Sequence, residues 1–343
     1  MKNSRKARIN DVAAAAGVSI ATVSRALSKP DIVAPETRLT IQKAVKKLGY
    51  VVNGGARALS SKRSWTIGAV IPSLENAIFA NTTYALQKTL GDEGYMLLVA
   101  CSEYDLNYEV ALVRGFIERG VDGLILVGAI HRQETKELLK RFKIPYVLTW
   151  AYEETGKLPI VGFDHRDATL QVTRHLLDLG HRKFGVISTP TAGNANALSR
   201  LQGVLDALEE SGIILDSQMI VEAPFSYQKG ADAFRQIMSV NRKPTAVVCL
   251  NDVLAIGAIS AANSLGMNVP RDVSITGCED LEVAAFTSPP LTTVRYPTDE
   301  MGIYAARHIL GQLKKESPIL QRIFPTRLIV RQSSGPPKKK LRP

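Results

Sequence analysis

The chain has 343 residues, 45% of them hydrophobic and 22% charged. That composition excludes a disordered, collagen-like or disulfide-stapled chain and predicts two or three folded units. Its three cysteines, Cys101, Cys249 and Cys278, stand far apart without metal-ligand spacing; no apolar run is long enough to span a membrane, and the first residues lack an apolar leader pattern. The sequence therefore predicts a cytoplasmic protein with no membrane contact and no cofactor.

The net charge of +11 is unevenly placed. Residues 1 to 63 carry thirteen cations against three acids, a net of +10, so the other 280 residues are nearly neutral. Positive charge concentrated on one small unit predicts a polyanionic partner such as nucleic acid or a membrane surface.

Residues 9 to 27 read INDVAAAAGVSIATVSRAL. Asn10 is a predicted N-cap, Asp11 suits the positive end of the helix, and Gly17 stands where a left-handed C-terminal residue belongs. Ser19 caps a second short helix, and the pair with its tight turn predicts a helix-turn-helix. Pro35 and Glu36 open a third helix that Gly49 ends. In such a unit the second helix leads into the major groove. Ile20, Ala21, Thr22 and, one turn later, Arg25 stand at its front. Arg25 suits a two-pronged contact with guanine, Ile20 or Ala21 a thymine methyl, and Thr22 and Ser24 phosphates. A purely structural basic three-helix bundle is the alternative.

Residues 51–64 form a predicted linker with a short helical stretch from Asn53 to Leu59. Gly54 and Gly55 weaken it by roughly 1 kcal/mol each relative to alanine, so it is expected to order on a partner. Asn53 is a predicted DNA contact. Leu59 suits a wedge in a minor groove, or packs on the body below.

These motifs, with APETR, LGY and then IGAVIPSLENAIF, VDGLILVG, HLLDLGHRKFGVIS, RLQGVLDAL, LNDVLAIGAISAANSLGMNVPRDVSITG and PPLTTVRYP, resemble the lactose/galactose repressor family of bacterial transcription regulators. The resemblance runs from about residue 8 to 333.

Residues 65 to 331 alternate short apolar runs with helical patterns. Predicted strands are 66–71, 96–101, 123–127, 146–149, 160–163, 184–188, 246–250, 274–277, 292–295 and 327–331. Predicted helices between them include 81–90, 106–119, 168–179, 197–210 and 253–265. Such alternation predicts α/β architecture with parallel sheets flanked by helices, and its length predicts two lobes. The resemblance implies a periplasmic-binding-protein-like body over 65–335, with chain crossings near 162, 291 and 323. It also implies the all-α headpiece over 1–50. The C-terminal SSGPPKKKLRP, residues 333–343, is expected to be disordered, with its basic part over 336–343.

A ligand between two such lobes sits at the carboxyl ends of strands. The loop 190–200 offers Asn194 and Asn196 as donors and acceptors, and Arg200 as a clamp for a carboxylate or sugar hydroxyl. Matching to the family implies effector contacts for Arg200, Phe79, Phe225, Asn251 and Glu279; Trp150, past the fourth strand, is a further candidate. From the residues alone the alternatives stay open: core aromatics for Phe79 and Phe225, a helix cap for Asn251, a solvated turn for Glu279, a surface site for Arg200. Three features depart from the family pattern: Val52 where proline is usual, Gly54-Gly55 in the linker helix, and Glu279 where aspartate is usual.

The resemblance implies a homodimeric repressor, or a higher oligomer. It would bind a near-palindromic double-stranded DNA operator under control of a small-molecule effector, a sugar, sugar acid or related metabolite. A purine-class effector, or a sugar-binding protein without DNA function, is the alternative. The sequence holds no G-x-S-x-G, no P-loop and no His/Cys/carboxylate cluster at ligand spacing, so no enzymatic activity is expected.

Overall fold

Asp11 fixes where the chain first becomes helical. In the computed structural model, which describes residues 6–28, 30–52, 55, 63–316 and 320–338, its carboxylate accepts the Arg8 N–H at 2.7 Å. Helix α1 therefore spans Ile9–Ala16 with Arg8 as its N-cap. The expected cap, Asn10, lies inside the helix, because an acid three residues past the cap satisfies the cap's own N–H. Gly17 ends α1 at φ +65°, and the Val18 N–H returns to the Ala13 carbonyl at 3.1 Å. Ser19 Oγ then accepts the Thr22 N–H at 3.1 Å and opens α2, Ile20–Ser28. Helix α3 runs Pro35–Leu48. Val12, Val23 and Ile41, all fully buried, join the three helices. Each such side chain stabilises by about 1.5–3 kcal/mol. This unit is Met1–Trp65; the second unit is Thr66–Pro343. The predicted linker-helix contacts Asn53 and Leu59 lie outside the described residues.

The second unit contains two lobes. The first is a six-stranded parallel sheet in the order β11-β5-β4-β3-β1-β2, formed by β1 (Thr66–Ile71), β2 (Met96–Cys101), β3 (Gly123–Val127), β4 (Tyr146–Thr149), β5 (Ile160–Gly162) and β11 (Gln321–Ile323). Helices α4 (Ala77–Asp92), α5 (Leu106–Glu118), α6 (Gln133–Phe142) and α11 (Thr298–Lys314) belong to it. The second lobe holds the parallel sheet β7-β6-β8-β9, from β6 (Phe184–Ser188), β7 (Ile220–Glu222), β8 (Ala246–Cys249) and β9 (Ser274–Thr276). It adds the antiparallel pair β10 (Thr293–Arg295) and β12 (Arg327–Ile329), and helices α7 (His165–Asp178), α8 (Ala195–Glu210), α9 (Tyr227–Met238) and α10 (Asp252–Ser264). Central strands buried on both faces read as unbroken apolar runs, as GLILV in β3 and FGVIS in β6 do.

Strands β7 and β11 were not predicted. Each is three residues long and lies at a sheet edge, too short for a period to show. The chain passes between the lobes at 163–164, 296–297 and 324–326. The second passage lies past the expected 291 because Thr292 bridges Thr276 and Thr293–Arg295 pairs with β12, both in the second lobe. The expected disorder is corrected for residues 333–338. Ser333 Oγ donates to the Ile275 carbonyl at 2.5 Å, and the Gly335 carbonyl accepts from His181 Nε2 at 2.8 Å and Ser274 Oγ at 3.0 Å. The segment through Lys338 is thus fastened to the second lobe, Lys338 pairing with Asp272; residues 339–343 lie outside the described residues.

Helix α8 sits unusually close to α7. A Cβ on Gly203 would lie 2.1 Å from the Arg166 carbonyl oxygen, so only glycine allows the approach. Thr169 Oγ1 donates to the Arg200 carbonyl at 2.7 Å across the same contact. These two residues set where Arg200 stands.

Candidate functional site

Between the lobes, strand ends and helix starts converge on one cleft. Asn76, Asn194 and Asn251 cap α4, α8 and α10, each accepting a backbone N–H through its Oδ1 (Ile78, 3.2 Å; Ala197, 3.1 Å; Leu254, 2.8 Å). All three line the cleft. Three positive helix ends thus face one space, which favours oxygen-rich or anionic ligands. On the strand side the backbone turns sharply. Tyr104 follows β2 at φ +62°, Trp150 follows β4 at +57°, and Glu279 follows β9 at +125°. Non-glycine residues rarely hold such angles, and those that do concentrate at functional sites.

Phe79, Trp150, Asn194, Asn196, Arg200, Phe225, Asn251 and Glu279 all line this cleft. Their neighbours there include Tyr104, His165 and Thr189, which sequence reasoning missed. His165 follows the first passage between lobes directly; that position was the signal available for it.

The floor is aromatic. Trp150 lies with ring centroids 5.2 Å from Phe79, 5.7 Å from Phe163 and 6.2 Å from Tyr296. Phe163 and Tyr296 belong to two of the interlobe passages and sit 4.5 Å apart. Phe225 is 36% exposed at the cleft, more open than Phe79 or Trp150.

Arg200 is buried, not a surface arginine. Burial opposes its charge, but Tyr296 and Glu279 outweigh it and raise its pKa. Its Nη1 donates to His165 Nδ1 at 3.2 Å, while His165 Nε2 faces the Trp150 carbonyl at 3.1 Å. Burial first, then the Arg200 charge, push the His165 pKa well below its usual value. The ring is therefore neutral, with its proton on Nε2. Burial, then Asp252, raise the Glu279 pKa well above the usual carboxylate range. Burial raises Asp252 to about 7, although Thr293 Oγ1 and the Leu281 N–H donate to it at 2.5 and 2.8 Å. The loop carrying Glu279 is pinned through Asp280, which accepts from Arg295 Nε at 2.6 Å and Arg331 Nη2 at 2.7 Å.

Of the cleft's lining, Thr189 Oγ1, Arg200 Nε, Asn251 Nδ2 and Glu279 Oε2 are buried without a hydrogen-bond partner among the described residues. Such groups each cost about 1–3 kcal/mol, and a cleft that keeps four leaves them open to a ligand. Asn251 serves both readings at once: its oxygen caps α10 and its amide nitrogen faces the cleft. The enclosed space is about 30 Å³, room for one or two waters. Among the described residues, no group of three or more His, Cys, Asp and Glu side chains is placed to hold a metal ion.

In the first unit, Ile20, Ala21 and Arg25 are exposed along α2, and Thr22 and Ser24 are half-buried. Arg25 Nε donates to the Ala21 carbonyl at 3.3 Å, folding the side chain along its own helix. Ser19 and Thr22 share a hydroxyl contact of 2.8 Å at the start of α2. No helix among the described residues is long and apolar enough to cross a membrane.

Comparison with known proteins matches residues 8–53 to "Bacterial regulatory proteins, lacI family" and residues 173–334 to "Periplasmic binding protein-like domain". The chain is 32% identical over 329 residues to catabolite control protein A of Priestia megaterium, covering 95% of this chain and 98% of that one. It is 34% identical over 331 residues to the HTH-type transcriptional repressor PurR of Escherichia coli O1:K1 / APEC, covering 95% and 96%. The structure of the Lac repressor dimer bound to operator and the anti-inducer ONPF matches with a TM-score of 0.87 at 25% identity, covering 96% of this chain and all of that one. Helix-turn-helix unit, two-lobed body and near full-length identity agree: the chain belongs to the lacI family of bacterial regulatory proteins.

Proposed function

We propose that this protein is a cytoplasmic transcription repressor. It binds a near-palindromic operator as a homodimer, one α1–α2 unit per half-site, and answers to a small polar metabolite held between its lobes. The observation that carries the effector reading is the set of four unpartnered buried atoms, Thr189 Oγ1, Arg200 Nε, Asn251 Nδ2 and Glu279 Oε2, lining one cleft. Two N–H donors, a hydroxyl and a carboxyl oxygen suit a polyhydroxylated ligand, a sugar or sugar acid. Ligand binding parts and re-forms the lobes, and the passages at 163–164 and 296–297 carry that movement. By linkage, effector and operator then bias each other's binding by one shared free energy.

The open ring of Phe225 favours a second reading, a planar purine stacked at the rim. One experiment separates the two. A thermal-shift screen of sugars, sugar acids, sugar phosphates and purines is run on the protein and on Arg200→Ala, followed by operator selection from random duplex DNA with and without the hit. A ligand at a hundred times its Kd stabilises by about 2.7 kcal/mol. A sugar-class hit that vanishes in Arg200→Ala and alters operator affinity supports the proposal. A hit that Arg200→Ala leaves unchanged, or selection that returns no enriched palindrome, overturns it.

A further inference from the structure

A second cavity lies wholly inside the first lobe and shares no lining residue with the cleft. It encloses about 470 Å³ between α6, β4 and the segment leading to β5. That is the size of a pocket for a small organic ligand, in a lobe that needs no such void to fold. Leu139, Leu148, Leu158 and Tyr146 give it predominantly apolar walls.

Its polar groups divide into two sets. Deep in the wall, His131 is already engaged: Nδ1 meets Glu109 Oε1 at 2.9 Å and Nε2 meets the Gly128 carbonyl at 3.1 Å. Thr135 Oγ1 donates to the same carboxylate at 3.2 Å. The His131 and Thr135 side chains are therefore already met within the protein. At the mouth, Lys136 and Lys140 stand one turn apart on α6, both exposed. The ion pairs of the described residues engage neither. The neighbouring acids of α6 are turned to other partners, Glu134 to Arg132 and Glu137 to the Gln133 amide. No acidic side chain lines the cavity. An apolar interior under a doubly cationic mouth fits a molecule with one apolar end and one anionic end.

We propose that this cavity is a second ligand site, for a small amphipathic carboxylate such as a medium-chain fatty acid or an aromatic acid. The body of the ligand lies against Leu139, Leu148 and Leu158, and its carboxylate meets Lys136 and Lys140. The site is independent of the effector reading, because the two spaces have no residue in common.

The test is calorimetric titration of the full-length protein with octanoate and with 4-phenylbutyrate, using octanol as the uncharged control. Saturable binding of an acid, at least tenfold tighter than octanol, is expected. It persists in Arg200→Ala and weakens at least tenfold in the surface variant Lys136→Glu/Lys140→Glu, which leaves the core untouched. Leu139→Trp, which fills the cavity, abolishes it if that variant keeps the wild-type melting transition. No saturable binding to the wild-type protein overturns the proposal. So does binding that the lysine variant leaves unchanged, or that Arg200→Ala removes, since the latter places the acid in the cleft.

Discussion

Arg200 Nη1 donates to His165 Nδ1 across 3.2 Å, and this contact joins the first residue of α7, just past the first interlobe passage, to the second turn of α8. A neutral imidazole accepts that bond; an imidazolium cannot, because both its nitrogens carry protons. The cleft geometry thus depends on keeping His165 uncharged, which its burial does.

That dependence has a pH signature. The folded pKa of His165 lies below its unfolded value, so above about pH 6.5 the ring is neutral in both states and its contribution is intact. As pH falls below that, the unfolded chain takes up a proton that the folded site refuses, and stability declines. His165→Gln is expected to flatten the fall in stability between pH 7 and 5 measured by urea unfolding. An equally steep fall in the variant would count against the assignment.

Asp252 has the opposite sign. Its pKa is raised to about 7 in the folded state, so its contribution is full below the ordinary carboxylate pKa and lost as pH rises towards 7. Asp252→Asn should reduce the loss of stability across pH 4 to 7. The same unfolding series reads it, and a slope unchanged from wild type would remove Asp252 as its source.

Gly203→Ala tests the seating of α8. The added Cβ meets the Arg166 carbonyl at 2.1 Å, so the helix must shift or the fold must strain, at a cost of about 1–3 kcal/mol. A lowered Tm together with weakened effector binding is expected. A fully stable variant with wild-type ligand affinity would show that Arg200 is placed by something else.

Ile41→Ala separates the two units. Ile41 is fully buried in a six-residue core, and its truncation should cost about 2–5 kcal/mol, a large share of what so small a unit holds. Loss of operator binding with ligand-induced stabilisation of the body retained is the expected pair of outcomes. Intact operator binding would mean that the core tolerates the cavity.

Arg25→Ala addresses DNA reading. On the proposed role it costs roughly 1–3 kcal/mol and relaxes preference at one base pair. Operator selection with the variant reports it, and an unaltered sequence preference would exclude Arg25 from base contact.

The sequence by itself determined the basic three-helix unit, because caps, turn glycine and charge are local signals that act within a few residues. It also showed the alternation of the body, since buried parallel strands and amphipathic helices write their periods directly into the chain. Tertiary structure alone decided where the lobes exchange chain, because a strand such as Thr293–Arg295 reads alike in either lobe and only its pairing with Arg327–Ile329 assigns it. It alone brought Arg200 to His165, 35 residues away, and Trp150 to Tyr296. It alone fastened Ser333–Lys338, a polar segment with no periodicity, through hydrogen bonds to a distant sheet edge. Protonation was likewise hidden: one histidine or glutamate letter says nothing of the burial that keeps His165 neutral and lifts Glu279.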